Sequence, residues 1–309
     1  MTPMPSRWMS RRGFTLVELL LSLIVSSIIG TALVSMVLSQ ARFMDQQEMW
    51  RQARSVSRSG INRLFSDLRA VENGSSAVAG NRGLEAAVAG GQDFTIRVPY
   101  AFGILCGQVP TTNVYTVSLL PVDANMYAEL GYSGFALRNK LGVYQYSNSN
   151  TLIPSTTPGL CLTGLYDQIN TVASINGSPT GSIVNVSRNA GAFTPVQPDR
   201  GSIVFLYRRI RYEFKASVAL PGRIGLWRTR LDAPNPNTEE LAAPFDVSAR
   251  VNFYVGNNAV AQAAVPADLS TVRGLELVLN GASDRAASGT AAPKIATTTT
   301  SVFFENRPD

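Results

Sequence analysis

The chain has 309 residues, no histidine, two cysteines and a formal charge of +6 from 27 basic and 21 acidic residues. The missing imidazole removes the commonest general base and metal ligand, and two cysteines without histidine make a poor zinc site. No P-loop, no G-x-S-x-G element and no 12-residue calcium loop occurs. The sequence therefore offers no catalytic residue, no cofactor-binding set and no metal site, and points to a structural or binding protein rather than an enzyme.

The first element is an apolar helix. Arg7, Arg11 and Arg12 precede it, and Leu19 to Ala41 is an uncharged run of 23 residues. At 1.5 Å per residue that run spans roughly 34 Å, enough to cross a hydrocarbon core of about 30 Å. The basic flank predicts a cytoplasmic N-terminus and a single pass. A cleaved secretory signal would have a shorter apolar core ending in a small-x-small site. Glu18 stands at the start of this run, and an ionisable group there is costly enough to be a functional candidate. Ser22, Ser26 and Gly30 recur every fourth residue, as do Ser27, Thr31, Ser35 and Ser39, a spacing that lets apolar helices approach closely.

Gly13 followed by Phe14-Thr15-Leu16-Val17-Glu18-Leu19-Leu20 resembles the N-terminus of type IV pilins and type II secretion pseudopilins. The resemblance implies a leader, residues 1–13, cut by a prepilin peptidase between Gly13 and Phe14, methylation of the new N-terminal Phe14, and an assembly role for Glu18. In that role Glu18 of one subunit would meet the freed amine of a neighbour, a pairing better suited to fixing register than to adding stability. It further implies an α+β, pilin-like fold: a long N-terminal helix, membrane-spanning in its first half, packed on an antiparallel β-sheet head.

Residues 42–73 continue the helix as an amphipathic segment. Met49, Ala53, Val56, Ile61, Leu64, Phe65, Leu68 and Val71 repeat at about 3.6 residues, with Arg51, Arg54, Arg58 and Arg63 between them. Asn73-Gly74 reads as its stop. Residues 74–92, rich in Gly, Ala and Ser, read as a linker. The β-rich head is predicted over 93–309, long enough for a sizeable core. Strands are expected at 93–98, 113–119, 202–207, 210–215, 223–231, 246–255, 272–279 and 301–304. Residues 121–200 read as looser, and 281–300 as a polar, Thr-rich loop. Glu239 and Glu240 fall on a Pro/Asn-rich stretch and read as solvated.

Ile203 to Arg208, Gly225 to Arg228, Phe253-Tyr254 and Thr300 to Arg307 together are similar in order and spacing to PilW-type minor pilins and J-type minor pseudopilins. The resemblance implies a minor subunit of a priming or tip complex, its partners a prepilin peptidase, the inner membrane, other minor pilins and a major pilin. The head would be periplasmic, then part of a filament at the cell surface. Cys106 and Cys161, an even pair beyond the membrane segment, suit one disulfide in an oxidising compartment, with two separate buried thiols as the other reading. Arg208, Arg211, Trp227, Arg228 and Arg230 cluster on one predicted hairpin as candidate partner contacts. The same arginines with interleaved aromatics would suit single-stranded nucleic acid in a DNA-uptake pilin, or form a charged, edge-protecting sheet face.

Overall fold

The computed structural model describes residues 15–71, 83–109, 113–119, 134–140, 144–148, 152–154, 174–175, 178–179, 183–187, 198–231 and 237–304. Among the described residues one helix, α1 (Leu16–Leu68), is followed by strands and by a 3-10 turn at Leu269–Thr271. The strands are β1 (Leu84–Ala87), β2 (Asp93–Val109), β3 (Val114–Leu119), β4 (Gly134–Arg138), β5 (Tyr144–Asn148), β6 (Leu152–Pro154), β7 (Ser174–Ile175) and β8 (Ser178–Pro179). After them come β9 (Ile183–Ser187), β10 (Ile203–Ala216), β11 (Ile224–Arg230), β12 (Asn237–Phe245), β13 (Arg250–Val255), β14 (Val272–Ala286) and β15 (Pro293–Phe303).

Every described ladder is antiparallel, and the main sheet runs β13-β14-β12-β11-β10-β2-β3-β9-β6. β15 pairs with β14, β1 with β2, and β4 with β10 and β5. The architecture is α+β: one long helix laid on an antiparallel head. α1 measures about 80 Å at 1.5 Å per residue.

β2 and β10 form the spine. Their pairing from Ile203↔Ile104 to Glu213↔Asp93 is interrupted by one register shift at Leu206/Tyr207. These two strands are long enough to serve two cores. The first core lies under α1 and joins Leu64, Leu68, Phe94, Tyr212, Leu226, Phe253, Leu277 and Val302. The second joins Leu105, Tyr115, Val117, Phe135, Val204 and Leu206 beyond the helix.

Only the second half of α1 touches the sheet. Met49, Ala53, Ser57, Gly60, Leu64 and Leu68 form its buried stripe. The small residues at its centre allow a close approach. The Ser57 hydroxyl donates to Leu279 O (3.1 Å) and Ala296 O (3.0 Å) and accepts from the Gly281 N–H (2.9 Å). A Cβ on Gly281 would lie 2.2 Å from Ala53 O, so no side chain fits there. Likewise, a Cβ on Gly60 would lie 2.9 Å from Phe245 Cζ.

Three expectations need correcting. The stretch read as a linker contains strand β1, whose Leu84 is buried in the first core. The Thr-rich stretch 281–300 is not a loop: β14 runs through to Ala286, and Pro293–Phe303 is a strand. Threonine is β-branched and fits a pleated surface, while its hydroxyl suits the solvent face, so polarity alone misled the reading. Glu239 and Glu240 lie on β12, where the Glu240 carboxylate accepts from the Ser217 hydroxyl and from the N–H groups of Val218 (3.1 Å) and Ala219 (3.2 Å). Glu240 closes the turn between β10 and β11 rather than standing in solvent, whereas Glu239 is exposed as expected.

Candidate functional site

The N-terminal end of α1 is built by its cap. Thr15 has extended backbone angles, and its hydroxyl accepts the Glu18 N–H at 3.3 Å, so the helix starts at Leu16 with Glu18 in its first turn. A carboxylate in the first turn is favoured by the helix dipole by about 0.3–1 kcal/mol. Glu18 is exposed and so are the apolar residues after it: Leu19 is 57 % exposed, Ile28 61 % and Val37 62 %. No residue from Leu16 to Met44 is buried against the head. Gly13 and Phe14 lie outside the described residues.

Three hydroxyls of this half are satisfied within the helix itself. Ser22, Thr31 and Ser35 donate to Leu19 O (2.9 Å), Ile28 O (2.9 Å) and Ala32 O (2.8 Å) of their own helix. Hydroxyls satisfied in this way tolerate an apolar surrounding. A Cβ on Gly30 would meet nothing within 4 Å. This half is long and apolar enough to cross a membrane.

That geometry, an exposed apolar rod with one acid in its first turn, coincides with a family signature. Residues 8–34 match the family model for the prokaryotic N-terminal methylation motif. The chain carries that motif. It is the leader-and-helix signature of type IV pilin and pseudopilin precursors, and it implies membrane anchoring and assembly with other pilins. No curated protein and no solved structure matches the chain.

The hairpin arginines have been brought together, but mostly with carboxylates. Arg211 holds Asp93 through Nε (2.9 Å) and Nη2 (2.5 Å) and also reaches Glu213 at 2.9 Å. Arg209 reaches Glu85 at 2.7 Å. Arg228 bridges Asp67 of α1 (2.9 Å) and Glu239 of β12 (3.3 Å), and the Tyr212 hydroxyl donates to Asp67 at 2.5 Å. Burial raises the Tyr212 hydroxyl's pKa, and the Asp67 charge raises it further. Arg208 lies over the Tyr100 ring at 4.6 Å, and Trp227 carries Lys215 over its ring at 5.1 Å. Arg230 stands on β11 opposite Ile210 and Asn237. None of the five candidate contact residues is fully exposed. Their pairing ties α1, β2, β10, β11 and β12 together, which gives this cluster a structural task.

Sequence reasoning missed the carboxylate half of this network because Asp67, Glu85 and Asp93 lie more than a hundred residues before the arginines they meet. Among the described residues no cluster of three or more His, Cys, Asp or Glu is arranged to hold a metal. Cys106 is buried on β2, and Cys161 lies outside the described residues. At the membrane-proximal end, Asp45 of α1 is latched to the β14–β15 turn by Arg285 (2.5 Å) and the Ser288 N–H (2.6 Å). The Arg285 hydrogen bond, with Ser288, holds the Asp45 carboxyl well below the ordinary carboxylate range.

Proposed function

We propose that this chain is made as a prepilin and becomes a minor, PilW-like subunit of a type IV pilus. A prepilin peptidase cuts between Gly13 and Phe14, the Phe14 amine is methylated, and α1 waits in the inner membrane with the head outside. Arg7, Arg11 and Arg12 support that orientation. Glu18 then pairs with the N-terminal amine of a neighbouring subunit as the helix enters a priming or tip complex with other minor pilins and the major pilin. The observation that carries this reading is the apolar first half of α1, which finds no cover on its own head while it displays one carboxylate within the methylation motif. A minor pseudopilin of a type II secretion system uses the same chemistry and is the alternative. With Arg209, Arg211 and Arg228 engaged by carboxylates, the hairpin offers little free charge for nucleic acid.

We also assign a disulfide to Cys106 and Cys161. The buried position of Cys106 and the absence of free cysteines among the described residues support it. Closing a loop of about 55 residues is worth roughly 4 kcal/mol in the chain-entropy model.

The test is mass spectrometry of the full chain expressed with its processing machinery, paired with filament incorporation of Glu18→Leu. The expected product starts at methylated Phe14, and Glu18→Leu inserts in the membrane but is depleted from filaments. Retention of Met1, or wild-type incorporation of Glu18→Leu, would sink the proposal.

A further inference from the structure

The two flanks of the β13-β14-β15 ribbon are treated differently. On the β13 side the backbone is occupied: Val251 N–H donates to Gly91 O (2.8 Å), and Phe253 and Gln262 exchange N–H···O bonds at 2.8 and 2.9 Å. On the far side of β15 no described strand pairs. The phase of the ladder gives the direction of each group. Asp246 N–H donates to Asn280 O, away from β15, while Phe304 N–H donates to Arg273 O on the β15 side. Odd residues of β14 therefore face β15. Through the register Gly281↔Ala296 and Leu275↔Val302, even residues of β15 face β14. Ile295, Thr297, Thr299, Ser301 and Phe303 direct their N–H and C=O groups outward.

All five are exposed, and the span from Ile295 to Phe303 contains neither charge nor proline. It is about 30 Å long at 3.3 Å per residue. Lysine, proline, a bulge or a cover normally guard such an edge. On β15 Pro293 and Lys294 stand only at the first two positions, and the remainder is stiffened: the Tyr254 hydroxyl lies 2.9 Å from Ser301 Oγ, and its ring lies 4.9 Å from that of Phe303.

A second copy of the chain fits the side chains but not the membrane. Antiparallel self-pairing about Thr299 would set Ile295 against Phe303 and Thr297 against Ser301. The two-fold axis of such a continuous sheet is normal to it and reverses every direction in the sheet plane. α1 lies flat on that plane, with Ser57 seated on the backbone of β14 and β15. The two apolar halves would point in opposite directions and could not share one bilayer.

We infer that the β15 edge is an acceptor for strand addition by a different subunit. The occupant is an extended, uncharged segment, with apolar residues opposite Ile295 and Phe303 and β-branched or hydroxyl residues opposite Thr297, Thr299 and Ser301. Its origin in another membrane-anchored filament subunit rests on the function proposed above. Main-chain hydrogen bonds would give the affinity, and the uncharged Thr/Ser row would reject charged strands.

The full chain is co-expressed, one at a time, with the other proteins of the same cell that carry an N-terminal methylation motif. Complexes are extracted in detergent and followed by amide hydrogen exchange. In one such complex the amides of Thr297, Thr299 and Ser301 are expected to slow by about tenfold or more. Thr299→Pro removes an outward N–H at an edge position that tolerates proline's fixed φ, so it should abolish that complex and leave the melting of the head close to that of the unsubstituted chain. Four results would overturn the inference: no complex with any of these proteins, a complex with unchanged edge amides, full co-purification of Thr299→Pro, or a Thr299→Cys chain that cross-links to itself at this edge. Leader cleavage is read separately, so an unprocessed chain with a protected edge would remove the proposed function and keep the edge.

Discussion

The two halves of α1 use small residues for opposite ends. In the second half Ala53, Ser57 and Gly60 are spent within the molecule, letting the helix backbone settle onto Gly281 and Phe245. In the first half Ser22, Ser26 and Gly30 have the same kind of spacing but are exposed and meet no part of the head, and the apolar side chains around them are exposed. One continuous helix thus has an inner half whose packing is complete and an outer half whose packing must come from lipid or from other helices. Sequence periodicity marks both halves as helix. Only the presence of a complementary sheet distinguishes them.

The sharpest way to break this comparison is a pair of leucine truncations. Leu64 is fully buried, and Leu64→Ala should cost the head about 2–5 kcal/mol, seen as a lower thermal midpoint by circular dichroism of the full chain in detergent. Leu20, 52 % exposed, should leave that midpoint unmoved when changed to Ala. Equal losses would mean that the first half folds back onto the head.

A smaller effect is expected from two glycines. Gly281→Ala forces a methyl against Ala53 O and should cost about 1–3 kcal/mol, with α1 partly undocked. Gly30→Ala has open space and should stabilise the helix by about 1 kcal/mol in the isolated subunit. If filament helices pack against Gly30, the same change lowers incorporation into filaments. An unchanged filament fraction would place Gly30 against lipid or solvent.

The smallest effect concerns the junction of the two halves. Arg285 and Ser288 depress the Asp45 carboxyl in the folded chain. The latch therefore contributes fully above the ordinary aspartate range near 3.8 and is lost only as pH falls below it. Amide exchange at Ser288 should stay constant from neutral pH down to about 4 after correction for intrinsic rates and rise below it. Asp45→Asn should abolish that pH step.

Much of this was legible from the residues. Helix α1 and its apolar stripe follow from the 3.6-residue repeat, although Ser57 and Gly60, its closest contacts, carry no apolar signal. The expected strands at 202–207 and 210–215 are one strand, because Arg208 and Arg209 are half-buried in it rather than marking a turn. β12 escaped notice because its Asn, Thr and Glu residues gain strand geometry only from pairing with β11. The N-terminal methylation motif was legible because it is local. The hairpin's ion pairs with Asp67, Glu85 and Asp93 were not, since each joins the hairpin to a segment far away in the chain.

The back-bonded hydroxyls of Ser22, Thr31 and Ser35 carry a consequence for movement between environments. Each has its partner one turn away on the same rod, so none needs water, lipid headgroup or protein to complete it. These three polar atoms would therefore need no rewiring if the rod were to exchange one apolar surrounding for another.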